Sequence, residues 1–298
     1  RTAFANWLTQ SRHPLTSRVM VNRLWLHHFG EGLVSTIEDF GWAGEEPQHQ
    51  RLLDWLAVEL ESNQWSLKHL HRLILSSQAY QQSSAVEASH GETAKTVDPN
   101  NRLLWRQNLR RMEAEPLRDC ILHVAGALRS DMYGAPTAIV RRSDGEVVVN
   151  DGKLPQKRSI YLRNKRSAPV SILQLFDQPD IETNCTRRNQ STVPLQALSL
   201  LNSDLVVNAA EAFADRVLLE SPQDPLGYAF MAVTGRRADA EQLEGMSEFI
   251  LRQSDIYLRG GQVEQKNATE QELKEASRSA LVDFCHVLLS SNEFAYID

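Results

Sequence analysis

Five side chains in the first seventy residues have the types that a hydrolytic site uses: Asn22, Arg23, His27, Asp39 and His69. Imidazole and carboxylate groups can exchange protons near neutral pH, and a guanidinium can hold a developing anion. Arg23 and His27 are four apart, so a helix places them on one face. With Arg110 and Arg187 to complete them, they are candidates for the site of a carbohydrate-active enzyme. Asp39, Glu45 and Glu46, close to Trp42 and His49, offer a second arrangement, a carboxylate pair beside an aromatic sugar platform. Glycoside hydrolysis demands a defined carboxylate separation, and loop acids otherwise cap helices or bind arginine.

Metal chemistry is not signalled. Seven of the nine histidines precede residue 91 (His13, His27, His28, His49, His69, His71 and His90), yet none forms an HExxH or an i,i+4 ligand pair. GxSxG, GxGxxG and the P-loop pattern are also missing, which disfavours a serine elbow and nucleotide chemistry.

A second constellation is basic and aromatic. Arg102, Arg106, Arg110 and Arg111 surround Trp105; Lys157, Arg158, Arg163, Lys165 and Arg166 surround Tyr161; Arg187 and Arg188 follow. The 25 arginines far outnumber the 7 lysines, and arginine favours bidentate pairing with carboxylate, phosphate or sulfate. Arg102, Trp105, Arg110, Arg111, Arg163 and Arg187 are therefore candidates for binding an anionic polymer such as a sulfated or uronic polysaccharide. The competing reading has these arginines paired internally with Glu113, Glu115, Asp119, Asp177 and Asp180. A net charge of −6 argues against nucleic acid as partner.

The elements that must carry these residues are mostly helical. The pattern predicts a short helix over 1–11 and a central helix from about Leu15, capped by Thr16 or Ser17 and ended by Gly30, with a turn at Gly32. Helices over about 48–62 and 67–81 follow, the latter capped by Ser66. Residues 82–97 are small and polar and read as a surface loop. A helix starts near Glu113, with Pro116 in its first turn. EVVVN and RSIYLR read as two short strands around an Asp151-Gly152 turn. LQLFDQPD gives a short helix and a loop. Helices over about 194–219, 225–234, 239–259 and 269–291 complete the chain. The expected fold is mainly α, a multi-helical domain with a small β-hairpin insertion, and 1–298 reads as one domain: a helical half at 1–130, the insertion at 131–170 and a second helical half at 171–298.

VNRLWLHHFGEGLVSTIEDFG and LLDWLAVELESNQWSLKHLHRLILSSQAYQQSS, followed by DPNNRLLWRQNLRRMEAEPLRD, RSIYLRNKR, LQLFDQPD, TVPLQALSLLN and FCHVLLSSNEFAYID, resemble the planctomycete-specific PSD-one domain, domain of unknown function 1553. The likeness runs over nearly the whole chain; Pro116 is a small departure from the usual pattern. It implies the end of a large exported protein, at the periplasm or cell surface, with a companion domain and often a c-type cytochrome module upstream.

Three function classes follow. The first is an accessory, scaffold or binding module, with the upstream domains of its own polypeptide and an anionic polysaccharide as candidate partners. The second is the carbohydrate-active enzyme described above, and the third a docking partner for a c-type haem module. The chain itself carries no cofactor motif: Cys120, Cys185 and Cys285 form neither CxxC nor CxxCH. No apolar run reaches the roughly 18 residues of a membrane span. The abrupt start at Arg1, on a helical pattern, suggests a piece of a longer protein.

Overall fold

The structure, a computed structural model, describes residues 1–10, 13–86, 88–149, 153–182, 184–260 and 268–297, the side chains of 88–90 excepted. The fold is mainly helical: among the described residues there are thirteen α-helices and only short strands. The chain falls into two compact units, Arg1–Arg110 and Arg111–Ile297.

The first unit contains α1 (Thr2–Leu8), α2 (Thr16–Phe29), α3 (Gln50–Ser62), α4 (Leu67–Leu75) and α5 (Ala88–Val97). Its core joins Val21, Leu24, Trp25 and Phe29 of α2 to Leu53, Leu56 and Leu60 of α3 and Leu70 and Ile74 of α4. The start of α2 differs from expectation. Neither Thr16 nor Ser17 caps it; the imidazole of His13 does, its Nδ1 accepting the backbone N–H groups of Leu15 at 3.3 Å and Thr16 at 3.1 Å. Gly30 closes α2 at φ +83°, a left-handed cap that glycine takes without strain. At Gly32 a Cβ would stand 2.6 Å from the Val34 carbonyl and 2.8 Å from the Asn22 amide, so only glycine fits. Ser66 caps α4, as its sequence position implies. α4 stops at Leu75, six residues before its expected end. Residues 88–97, expected as loop, are α5; alanine, glutamate and lysine have sufficient helix propensity, and small polar composition alone does not preclude a helix.

The second unit contains α6 (Ala114–Val124), β1 (Leu128–Arg129), β2 (Ile139–Arg141), β3 (Val147–Val149), β4 (Gln156–Lys157) and α7 (Ser171–Leu175). Then come α8 (Pro194–Asn202), α9 (Asp204–Glu220), α10 (Pro225–Thr234), α11 (Ala240–Gly260), α12 (Glu270–Leu289) and α13 (Asn292–Ala295). α12 is central, packing against both α9 and α11. Phe213, Phe230, Phe284, Leu289 and Phe294 fill the core with Leu117 and Ile121 of α6. A β-hairpin is present, with EVVVN giving one strand as expected but pairing with a different partner. β3 pairs antiparallel with β2, Val140 opposite Val148, while RSIYLR holds a 3₁₀ turn at Ser159–Tyr161. Gly145, at φ +94° beside Asp144, lies between the paired strands; Asp151-Gly152 lie outside the described residues. The long helix expected over 194–219 is broken at Ser203, whose ψ of 128° is extended.

Candidate functional site

α6 displays Glu115, Asp119 and His123 at i, i+4 and i+8, one stripe of its surface. Pro116 sits in its first turn, where the missing N–H costs nothing. That stripe, with Pro116 and Cys120, forms one wall of a cavity of about 690 Å³. The 3₁₀ turn and the chain after it give the opposite side, through Arg158, Ser159, Ile160, Leu162, Arg163 and Asn164. Leu173 of α7, Gln178 and Arg188 also line it, with Glu113, Leu128 and Val170. Every lining residue belongs to the second unit.

Arg118 holds the two walls together. Its side chain is fully buried and donates to the Lys157 carbonyl at 3.1 Å, to Ser159 Oγ at 3.1 Å and to Gln156. Burial pulls its pKa down to about 10 against the opposing charge and hydrogen bond of Asp119. Gln156 in turn donates to the Val149 and Lys153 carbonyls. Asp119 Oδ1 accepts from Ser159 N–H and Oγ–H, each at 2.7 Å, which fixes the 3₁₀ turn onto α6.

The charges of the cavity are largely paired. Arg188 grips Glu115 in bidentate fashion and lies 3.3 Å from Glu113. Burial works against the Arg188 charge, but Glu115, Glu113 and Cys185 outweigh it and hold its pKa above the usual range. Arg158, well exposed, lies 3.6 Å from Asp119 Oδ2. Burial, reinforced by Asp119, raises the Cys120 thiol pKa and keeps the sulfur protonated, a poor nucleophile. Arg163 and His123 are exposed, and among the described residues no partner meets their side chains. The cavity thus offers apolar side chains, amide-bearing residues and, among the described residues, one guanidinium without a side-chain partner, which suits binding of a polar, anionic molecule.

Residues 1–250 match the family PSD1, described as protein of unknown function (DUF1553). The chain belongs to the PSD1 family. The matched span includes every residue that lines the cavity. No curated protein and no solved structure matches the chain.

In this PSD1 chain the residues predicted from sequence take separate places. Asn22 is fully buried, its amide spent on the backbone of Val34. Arg23 and His27 share the exposed face of α2. Asp39 works inside its loop, Oδ1 accepting from Gly41 N–H at 2.7 Å. Glu45, set beside it in the carboxylate-pair reading, accepts from Ser35 Oγ at 2.6 Å. His69 faces Glu59 at 3.2 Å across α3 and α4.

Among the ligand candidates, Arg163 lines the cavity, and Arg187 is the exposed neighbour of Arg188, which also lines it. Arg111 is buried, bonded to Asp177 at 2.6 Å and stacked on Phe176. Trp105 donates to the Asp98 carbonyl at 3.0 Å and is covered by Arg106. Arg102 is exposed in the first unit, where the aliphatic stem of Arg110 lies over Gly30. The internal pairing weighed as the alternative is real for Arg111, Arg158 and Arg188.

Sequence reading missed the α6 stripe. Its signal, an acidic residue, an acidic residue and a histidine at successive fours, was present in EAEPLRDCILH. Among the described residues no three His, Cys, Asp or Glu side chains converge as metal ligands. No described helix is long and apolar enough to cross a membrane.

Proposed function

We propose that this PSD1 chain is a binding module for an acidic carbohydrate, seated in the cavity between α6 and the segment 158–164. The observation that carries the reading is Arg163, whose guanidinium has no side-chain partner among the described residues and which lines a cavity of about 690 Å³ together with Asn164 and Gln178. A guanidinium binds a carboxylate or sulfate through two parallel hydrogen bonds, and the amides can meet sugar hydroxyls. The acids of the cavity do not cancel this charge, because Arg188 pairs with Glu115 and Glu113, and Arg118 and Arg158 pair with Asp119. In this proposal the module serves an exported multidomain protein, beside upstream domains that include a c-type haem module; that setting rests on the family likeness.

Thermal-shift titration with polygalacturonate and with a sulfated polysaccharide, at low and moderate salt, tests the binding. A ligand that binds only the folded chain raises the melting temperature. A shift that survives moderate salt and is lost in Arg163→Ala supports the proposal. A shift with every polyanion that salt abolishes would reduce it to exposed arginine.

His123 favours a second reading, turnover of the bound sugar. It stands on the cavity wall with no side-chain partner among the described residues, as a general base would. Product analysis of the same polysaccharides, with and without His123→Ala, separates an enzyme from a binder.

A further inference from the structure

Next to the cavity lies a smaller hollow of about 220 Å³. Its lining includes Lys165, Arg166, Gln174 and Asp180. Asn164 and Gln178 line both hollows, so the two share a boundary at these two amide-bearing residues. Along the segment 163–166 the side chains are distributed in order. Arg163 belongs to the large hollow, Asn164 to both, and Lys165 and Arg166 to the small one. Arg166 is paired with Glu182 at 2.5 Å. Lys165 is exposed, and its side chain has no partner among the described residues. Among the described residues, each hollow therefore has one lining cation without a side-chain partner.

The boundary is held in place from behind. Asp177 takes the left-handed backbone, φ +66°, directly before Gln178. Its carboxylate accepts from Arg111 at 2.6 Å and from the Ser191 N–H and hydroxyl at 2.8 Å, and Gln178 N–H is bonded to the Leu173 carbonyl at 2.9 Å. On the other side, Arg163 N–H is bonded to the Thr137 carbonyl at 2.9 Å. The amides thus stand on anchored backbone.

We propose that the two hollows are adjacent subsites for a linear acidic oligosaccharide, which crosses the Asn164–Gln178 boundary with one acid group near Arg163 and the next near Lys165. The inference rests on the reading of the cavity as an acidic-carbohydrate site and deepens it: the ligand is a chain, not a single sugar acid. Two residues of backbone span at most about 7 Å, so the chain atoms that carry the Arg163 and Lys165 side chains are close enough for one short oligosaccharide to reach both. Amides suit the boundary because they donate and accept at hydroxyls without preferring either charge.

Isothermal titration with galacturonate and its oligomers of increasing length, and in parallel with sulfated oligosaccharides, tests this on the whole chain. The expected result is weak binding of the monomer, affinity that rises with length until both hollows are filled, and then a plateau. Lys165→Ala, a change at an exposed side chain, should weaken the longer oligomers about five- to tenfold, one charge-assisted bond, and leave the monomer unchanged. Arg163→Ala should weaken all lengths. Affinity that does not depend on length, or a Lys165→Ala loss equal for monomer and oligomer, overturns the two-subsite inference while leaving an acidic-sugar site at Arg163. Failure of both series to bind at any length overturns that site and the inference together.

Discussion

The Asn22 side chain spends both of its polar atoms on one residue: its Nδ2 donates to the Val34 carbonyl and its Oδ1 accepts from the Val34 N–H, each at 2.9 Å. A helix side chain here replaces a strand partner, and it fixes the turn through Gly30 and Gly32 onto α2. Asn22→Ala strands both backbone groups of Val34, which is itself buried. The expected cost is about 2–4 kcal/mol, read as a lower urea midpoint. Loss of binding or turnover at an unchanged midpoint would instead give Asn22 a place in a site.

His28 and His71 share a hydrogen bond at 2.8 Å, with Tyr80 edge-on against His28. Burial, then His71, Arg110 and His27, lower the His28 pKa to about 4. As pH falls below about 6.5 the unfolded chain takes up a proton that the folded chain refuses until about pH 4. His28 therefore supports the fold fully above pH 6.5 and progressively less down to pH 4. The group is half exposed, so solvent screening leaves about 1–2 kcal/mol. Urea midpoints at pH 7 and pH 4.5 should differ by less in His28→Gln than in the native sequence; an equal difference removes His28 as the cause.

Arg111 is buried against Asp177, the Met112 and Phe176 carbonyls and the Phe176 ring. Lysine cannot span that set, and Arg111→Lys should cost about 3 kcal/mol in thermal unfolding. Asp177→Ala should cost at least as much, because it removes the carboxylate and leaves alanine at φ +66°. A near-neutral Arg111→Lys would show that the planar guanidinium is not what the site needs.

The three cysteines are free thiols in distinct surroundings. Burial alone pushes the Cys285 pKa up to about 12, and Cys120 is raised by burial and Asp119, while Cys185 is exposed. Alkylation of the folded protein at neutral pH, followed by peptide mass spectrometry, should label Cys185 first, Cys120 slowly and Cys285 only on unfolding. Early labelling of Cys285 would contradict its place in the core.

Helix positions were legible because apolar spacing and punctuation agree: Ser66, Pro194, Pro225, Gly30 and Gly235 all mark ends where the structure has them. The cap of α2 was not legible, because His13 is not a usual capping residue and its role needs the ring to fold back. The hairpin was misread because EVVVN is an equally good strand for either neighbour; what selects β2 is a tertiary pairing that no local pattern encodes. Arg163 was read as one cation of a basic run, and its place in the lining of the cavity came only from the fold. The wall opposite it was hidden, since Glu115 and Asp119 were understood only as partners for arginine, which they also are.

The two cores differ in how much chain each must collect. That of the first unit draws on side chains from Val21 to Ile74. That of the second reaches from Ala114 to Ala295, with α12 against α9 and α11 near its middle. During synthesis, which runs from the N-terminus, the first unit can close while the second is still incomplete. The aliphatic faces of α9 and α11 must wait for the last helices to leave the ribosome, so for most of its time as a nascent chain the second unit carries an unfinished core, the interval in which a chaperone would be needed.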